Sequence, residues 1–306
     1  METTLSVQSK TRHKLSSFWR RFRLHKIRPA RIVLHIVMIL FSLSCILPLV
    51  WITSSSFKPM QELYAAVPTL FPKRPTLMNW YWCVSIMGPV LMYLKNSCIV
   101  TFGGMFLQVL LATLAGFAFA RLEFKGRDLL FYGLLAFMFL PRAGGLMASY
   151  EMMHFFHLRN SYLGLILAFA ASLSVPVFIM RQTFYAIPRE LEDAAVIDGA
   201  STWQLFRHVA LPMGTSGLVV IAIFAFVDMW GDYLFTWTML DTEKLYTVAV
   251  GITTTIGWSA EFQRHQVSTY GANSAAYLIS MLPVIIVFIV MQKWFIRGLT
   301  EGILKF

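Results

Sequence analysis

Charge is scarce in this chain of 306 residues: 13% of positions are Asp, Glu, Lys or Arg, against 57% hydrophobic. A soluble domain carries about a quarter charged residues. A soluble globule is therefore excluded, and a polytopic membrane protein is expected. Acidic residues are scarcer still, 15 against 26 basic ones. Such an excess can serve nucleic acid, but its placement argues otherwise. Lys10, Arg12, Lys14, Arg20, Arg21, Arg23, Lys26, Arg28 and Arg31 crowd the beginning of the chain, beside an apolar run. That is the pattern of a cytoplasmic segment next to a membrane span, with anionic lipid as a further contact. No nucleic-acid partner is expected.

Cysteine is nearly missing. Cys45, Cys83 and Cys98 are scattered without metal spacing, which argues against a disulfide framework and a CxxC site. His154 and His157 lack a cysteine or carboxylate at matching spacing, so no metal is expected. Phosphate loops of the GxxxxGKS or GxxxxGKT form are absent, as are GxSxG and HExxH. The chain should therefore hold no ATP phosphates and no cofactor, and it offers no catalytic residues. Long-period repeats and low-complexity stretches are absent too.

Long apolar runs are what the chain has. They predict an all-α membrane protein with spans at about 32–52, 92–120, 129–150, 161–184, 216–240 and 277–297, each near the ~20 residues a bilayer needs. Residues 1–31 form a basic tail and 32–306 the membrane domain. The first run is too long for a cleaved signal peptide and should stay attached. Pro141-Arg142 and Gly144-Gly145 interrupt the third. Six spans put both termini on one side. The Arg121/Lys125/Arg127 and Arg181/Arg189/Arg207 groups make that side cytoplasmic, with external segments at 53–91, 151–160 and 241–276. Ser268 is then an accessible external position. Trp80, Tyr81, Trp82 and Trp237 suit an interfacial aromatic belt. Ala112, Gly116 and Ala120 form a small-residue stripe for close helix packing. Pro48, Pro141, Pro176 and Pro283 should kink or end helices.

One stretch between apolar runs, Arg189 to Met213 within a cytoplasmic loop at 185–215, is too polar to span. Local chemistry predicts two short helices and a tight turn. Pro188 or Arg189 opens the first, because a first turn does not need proline's missing N–H. Glu190, Glu192 and Asp193 follow near its positive end. Ala194 and Ala195 keep one face thin. Gly199 is a left-handed stop, and Ser201 with Gln204 is a capping-box pair opening the second helix. Trp203, Phe206 and Ala210 should share a face, with Pro212 ending the helix.

This stretch resembles the "EAA loop" of ABC-importer permease subunits: Glu-Ala-Ala, three residues, Gly, nine residues, Ile, one residue, Leu-Pro. Here it reads Asp193-Ala194-Ala195, Gly199, Val209 and Leu211-Pro212 at the family's spacing. Ile187-Pro188 and Asp198-Gly199-Ala200 look like the carbohydrate-uptake branch. So do Asn96-Ser97, Ala120-Arg121 with Phe124 and Gly126, and Asn160-Ser161-Tyr162-Leu163-Gly164-Leu165. Tyr270-Gly271, Ala275-Ala276, Pro283 and the ending Gln292…Gly298-Leu299-Thr300…Gly302…Lys305 extend the likeness over most of 32–306. The chain is similar to the second permease subunit of maltose-type transporters. The basic tail has no such match.

The resemblance implies alternating-access import of a sugar, a di- or oligosaccharide. It implies pairing with a second permease subunit, a cytoplasmic ATPase dimer that binds the ATP, and an extracytoplasmic solute-binding protein. It also implies the inner membrane of a prokaryote. Two rivals remain, a proton-driven carrier, which would show inverted repeats, and an integral-membrane glycosyltransferase, which would need a metal-binding acidic cluster elsewhere. The coupling residues implied are Glu190, Glu192, Asp193, Ala194, Ala195, Asp198, Gly199, Val209, Leu211 and Pro212.

Asp228 is the least expected residue, near the middle of a span, where a carboxylate costs roughly 2.5–3.5 kcal/mol. With Trp230, Asp232, Tyr233 and Asn96 it forms the candidate solute path. The competing reading pairs Asp228 with a partner subunit and puts Trp230 in the belt or core. Gly231 stands where many family members carry asparagine, and the helix is expected to break there, since Asp228, Trp230 and Tyr233 point different ways on an unbroken one. Arg142 either neutralises one of these carboxylates or snorkels outward.

Overall fold

The computed structural model describes residues 29–84, 90–140, 142–254 and 267–303, without the side chains of 29, 30, 142, 143 and 294–303. The basic tail up to Arg28, the Arg142 side chain, Arg264 and Lys305 therefore lie outside the described residues. Every regular element described is helical, as the apolar runs predict.

The chain divides into two units, one ending at Trp51 and one starting at Ile52. The described part of the first belongs to α1 (Pro29–Ser56), which runs through Pro48 without a break.

The second unit is built around α2 (Val90–Arg121), about 48 Å long at 1.5 Å per residue. Its small residues explain why other helices gather on it. A Cβ on Gly116 would lie 2.5 Å from Met180 Cβ and 3.0 Å from Arg181 N. One on Gly104 would lie 2.9 Å from Met229 Sδ, and one on Gly103 2.9 Å from Ile166 Cδ1. Ala112 and Ala120 are buried on the same helix. The stripe read from the sequence is thus a contact surface where backbones approach.

The third span is α3 (Arg127–Ala136) and α4 (Leu146–Phe155), separated by two short 3₁₀ turns, so the expected interruption is present. The fourth is α5 (Tyr162–Ala170) and α6 (Ser174–Tyr185), bent by 47°. Pro176 sits in the first turn of α6 and the break lies just before it. The polar stretch follows as α7 (Arg189–Ile197) and α8 (Thr202–Leu205, continuing to Met213). The fifth span is α9 (Thr215–Trp230) and, after a three-residue gap, α10 (Leu234–Met239).

The external segment at 241–276 departs from expectation. α11 (Val248–Thr254) folds back into the protein with Val248, Val250 and Ile252 buried. Its Gly251 faces the Tyr93 ring so closely that a Cβ would lie 2.1 Å away. The last helix, α12 (Thr269–Ile303), starts well before residue 277 and passes through Pro283 unbroken. Ser268 is 1% exposed, so it is not the accessible position the sequence suggested. Lys244 is exposed instead.

Close approach at the stripe sets the first expectation. Gly116→Val should destabilise the chain in detergent by about 1–3 kcal/mol through overpacking against Met180. Gly133→Ala, where a Cβ meets nothing within 4 Å, should leave the melting temperature unchanged. Equal melting temperatures for the two variants would refute this account of the α2 surface.

Candidate functional site

The polar hairpin is built from local chemistry that the sequence announces. Pro188 caps α7 in extended conformation, and Glu190 and Glu192 occupy its first turn, where the helix dipole favours carboxylates. Gly199 has φ +81°, the left-handed region. Ala200 N–H donates to Ala195 O at 2.9 Å and Gly199 N–H to Val196 O at 3.0 Å. Those two bonds form the Schellman closure that satisfies otherwise orphaned carbonyls. Ser201 then opens α8 with a complete capping box, its N–H donating to Gln204 Oε1 at 2.7 Å.

Two details differ from expectation. Pro212 does not end the second helix. The chain widens into a π turn over Phe206–Ala210, with Leu211 N–H reaching Phe206 O, and continues through Pro212 to Met213. A proline clashes with the carbonyl four residues back, and the wider turn places that carbonyl differently. The helix stops at Gly214, and α9 leaves at 73°. Phe206 and Ala210 are buried as expected, but Trp203 is 59% exposed, its ring centroid 5.3 Å from that of Phe206.

The hairpin therefore leaves large apolar side chains exposed. Leu191, Val196, Ile197 and Trp203 are exposed, Ile197 at 85%, between the exposed Asp193 and Asp198. Glu190, Ala194 and Pro212 are also exposed, while Ala195, Val209 and Leu211 are half-buried.

Glu192 points the other way. Arg121, at the end of α2, places its Nε 2.6 Å from Glu192 Oε1, with the two side chains 5% and 12% exposed. Its Nη2 donates to Phe184 O and Ile187 O, each at 2.7 Å. One guanidinium thus holds the end of α2, the end of α6 and the start of the hairpin. Burial pushes the Glu192 carboxyl above its ordinary range, and Arg121 pulls against that. Asp193 aligns with the family's glutamate, yet its neighbour Glu192 makes the inward contact. In the sequence Arg121 stood out for topology and, with Ala120, for the family resemblance, not as a partner of Glu192. A cation ending an apolar helix, with a carboxylate row in the next polar stretch, was the available signal.

At the end of the bundle away from the hairpin, the three breaks converge. A cavity of about 810 Å³ is lined by Leu140 and Gly144 from the third span's break, Ala171 and Ser172 from the fourth's, and Asp232 from the fifth's. Met152, Phe156 and Phe235 complete an apolar wall. Irregular backbone at membrane depth is tolerated where it lines such a space.

The candidate path residues do not come together. Asp232 reaches the cavity and also caps α10, its Oδ1 accepting from Thr236 N and Oγ1 at 2.8 Å each. Trp230 is buried and stacked on Phe226, centroids 5.4 Å apart. Asp228 is exposed on the outer surface of α9, and Tyr233 stacks on Trp237 at 6.1 Å. The break falls after Trp230 as expected, but Gly231 has φ −89°, which any residue adopts. Asp232's capping bonds, not glycine's freedom, mark the restart.

Asn96 is engaged within the fold, away from the cavity lining. Its Nδ2 donates to Lys244 O at 2.8 Å and Tyr246 O at 2.9 Å, and Tyr162 Oη donates to its Oδ1 at 2.7 Å. Ser97 Oγ accepts from Val248 N at 2.8 Å. Together these bonds tie the segment at 244–248 to α2. Asn160 does the same from another side, accepting from Asp241 N and Thr242 N, beside the Arg159–Asp241 pair at 2.9 Å.

A helical membrane bundle whose broken spans line an outer cavity, with a capped hairpin stapled beneath, is the architecture of a transport permease. Residues 27–301 match the family described as binding-protein-dependent transport system inner membrane component, and the chain belongs to that family. It is 30% identical to the diacetylchitobiose uptake system permease protein of Streptomyces coelicolor, covering 88% of this chain and 87% of that one. It is 31% identical to the maltose/maltodextrin transport system permease protein of Vibrio vulnificus, covering 89% and 94%. A solved bacterial ABC transporter involved in import of the acidic polysaccharide alginate shares the fold, with TM-score 0.80, 21% identity and coverage of 90% and 99%.

The staple makes a graded prediction. Arg121→Ala strands a buried carboxylate and two carbonyls, and should cost about 3 kcal/mol or more of stability. Glu192→Gln keeps shape and removes a charge that burial already disfavours, so its cost should be clearly smaller. Thermal melting of the purified chain in detergent decides; equal costs would refute the three-way role of Arg121.

Proposed function

We propose that this permease carries a carbohydrate, a di- or oligosaccharide, across the inner membrane of a prokaryote. It does so as half of a heterodimer with a second permease subunit. A cytoplasmic ATPase pair binds the ATP and docks on the hairpin, and an extracytoplasmic binding protein delivers the sugar. The observation that carries the reading is the hairpin's exposed apolar side chains, Leu191, Val196, Ile197 and Trp203, on an element bonded through Arg121 to two spans. A surface of that kind marks a protein contact, and that junction turns docking into a push on the bundle.

Sugar as cargo is supported by the relatives. Besides the two above, the sulfoquinovosyl glycerol transport system permease protein of Agrobacterium fabrum is 32% identical over 84% of this chain. A related alginate transporter, TM-score 0.55, was solved with an alginate pentasaccharide-bound periplasmic protein. The cavity of about 810 Å³ is within the range of small-molecule sites. The proton-driven carrier and the membrane glycosyltransferase find no support among these relatives.

Transport then needs no chemistry in this chain. The ATPase pair binds one arrangement of the two permeases better than the other, and that difference alone shifts the equilibrium. Asp193 and Asp198 flank the docking face, and Gly199 sets the angle between its two helices.

Two measurements test this reading. Gly199→Pro forces φ near −65° where the chain needs +81°, and Asp193→Lys reverses a charge on the docking face. Both should cut sugar-stimulated ATP hydrolysis by about tenfold or more, with the membrane level of the protein near normal. Wild-type stimulation would remove the hairpin as the coupling element. Orientation is tested at Lys244→Cys, with Cys45 and Cys98 changed to alanine. Cys83 can stay, because burial pushes its thiol up to about 12, so it will not react at neutral pH. An impermeant maleimide should label Lys244→Cys in sealed cells, and protection there would overturn the assignment of cytoplasmic termini.

A further inference from the structure

The bend in the fourth span has a chemical cause. In a continuous helix Ser172 O would accept from the N–H of residue 176, but that residue is Pro176 and has none. The gap is filled from another helix. Gln108, buried on α2, donates from Nε2 to Ser172 O at 2.7 Å and to Phe169 O at 3.2 Å. Around this point the backbone tightens: Ser172 N–H reaches Phe169 O at 3.2 Å and Leu173 N–H reaches Ala171 O at 2.8 Å. Ser174 Oγ, just past the bend, donates to Leu134 O beside the break in the third span, at 2.8 Å.

The two sides of the bend belong to different parts of the site. Below it, α6 is held by Arg121 through Phe184 O and Ile187 O to the hairpin. Above it, Leu167, Ala168 and Phe169 of α5, with Ala171 and Ser172, line the outer cavity.

We propose that Gln108 and Pro176 form the working joint of this permease, at which α6 swings with the hairpin relative to α5 and reshapes the cavity. Gln108 is a positioning residue: a side-chain amide keeps the proline-orphaned carbonyl of Ser172 satisfied while leaving the backbone free to change angle. A backbone N–H at 176 would bond Ser172 O and extend the helix upward, stiffening the joint. The proposal rests on the coupling reading above, since the hairpin must move for the joint to be used.

The test uses the complex with its partner permease and ATPase pair, spin-labelled at Leu163→Cys on α5 and Gln182→Cys on α6, both exposed. The distance is compared between the nucleotide-free and ATP–vanadate states. A shift of about 2 Å or more is expected, and Pro176→Ala should abolish it and lower uptake, with assembly and the melting temperature retained. Gln108→Leu should lower the melting temperature, and should do so much less in the Pro176→Ala background, a non-additivity that a plain packing role would not show. An unchanged distance in the vanadate-trapped wild type overturns the joint, as does a Pro176→Ala variant that keeps both shift and uptake. Failure of the coupling reading looks different: ATP hydrolysis that ignores Gly199→Pro.

Discussion

The guanidinium of Arg121 is the contact on which the arrangement depends. A buried ion pair is weak evidence for stability, because desolvation offsets much of the attraction. Its value lies in geometry. The Nε–Glu192 contact and the two Nη2 bonds to Phe184 O and Ile187 O fix three chain segments at one point. α2 is the longest element near it and packs on α5, α6 and α9. Displacing the hairpin therefore displaces the end of α6 as well. The staple adds a polar anchor to the apolar packing of Leu205, Phe206 and Ala210 of α8 against Phe117 and Phe184, so that both helices of the hairpin are held to the bundle.

Above that point the bundle is interrupted three times, and each interruption is chemically completed. Asp232 caps the restart of the fifth span, Gln108 supplies the donor that Pro176 lacks, and Ser174 reaches the carbonyl of Leu134. Unpaired backbone groups cost several kcal/mol each in hydrocarbon, so a membrane helix breaks only where side chains from elsewhere can substitute. All three breaks lie along one cavity. That coincidence separates them from random irregularity, and of the completing groups Asp232 itself lines the cavity.

What was legible in the sequence was what local chemistry decides. The left-handed Gly199, the capping box of Ser201 and Gln204, and the break after Trp230 depend on residues within a few positions of one another. The stripe of Ala112, Gly116 and Ala120 was legible because its spacing alone places it on one face. Contacts between distant segments were not. Arg121 and Glu192 are 71 positions apart, and the chain offers several carboxylates in the hairpin without saying which one Arg121 meets. Likewise only the fold shows the amide of Asn96 taken up by Lys244 O and Tyr246 O, 148 and 150 positions away. The seven residues of α11 are too short to carry a periodic signal, so a segment folded into the protein read as an open loop.

Gly231 shows how the two kinds of information combine. The family's usual asparagine is missing there, and glycine suggested a backbone that needs unusual freedom. The observed φ of −89° needs none, and a Cβ added at that position would meet only Val227 O at 3.4 Å. An asparagine would therefore fit the backbone as it stands. What the glycine removes is a side-chain amide at the mouth of the gap between α9 and α10, leaving Asp232 as the polar group there that reaches the cavity. The departure thus changes the chemistry presented beside the break and leaves its geometry alone. In this chain the position is one where the polarity beside the break can vary without disturbing the backbone geometry.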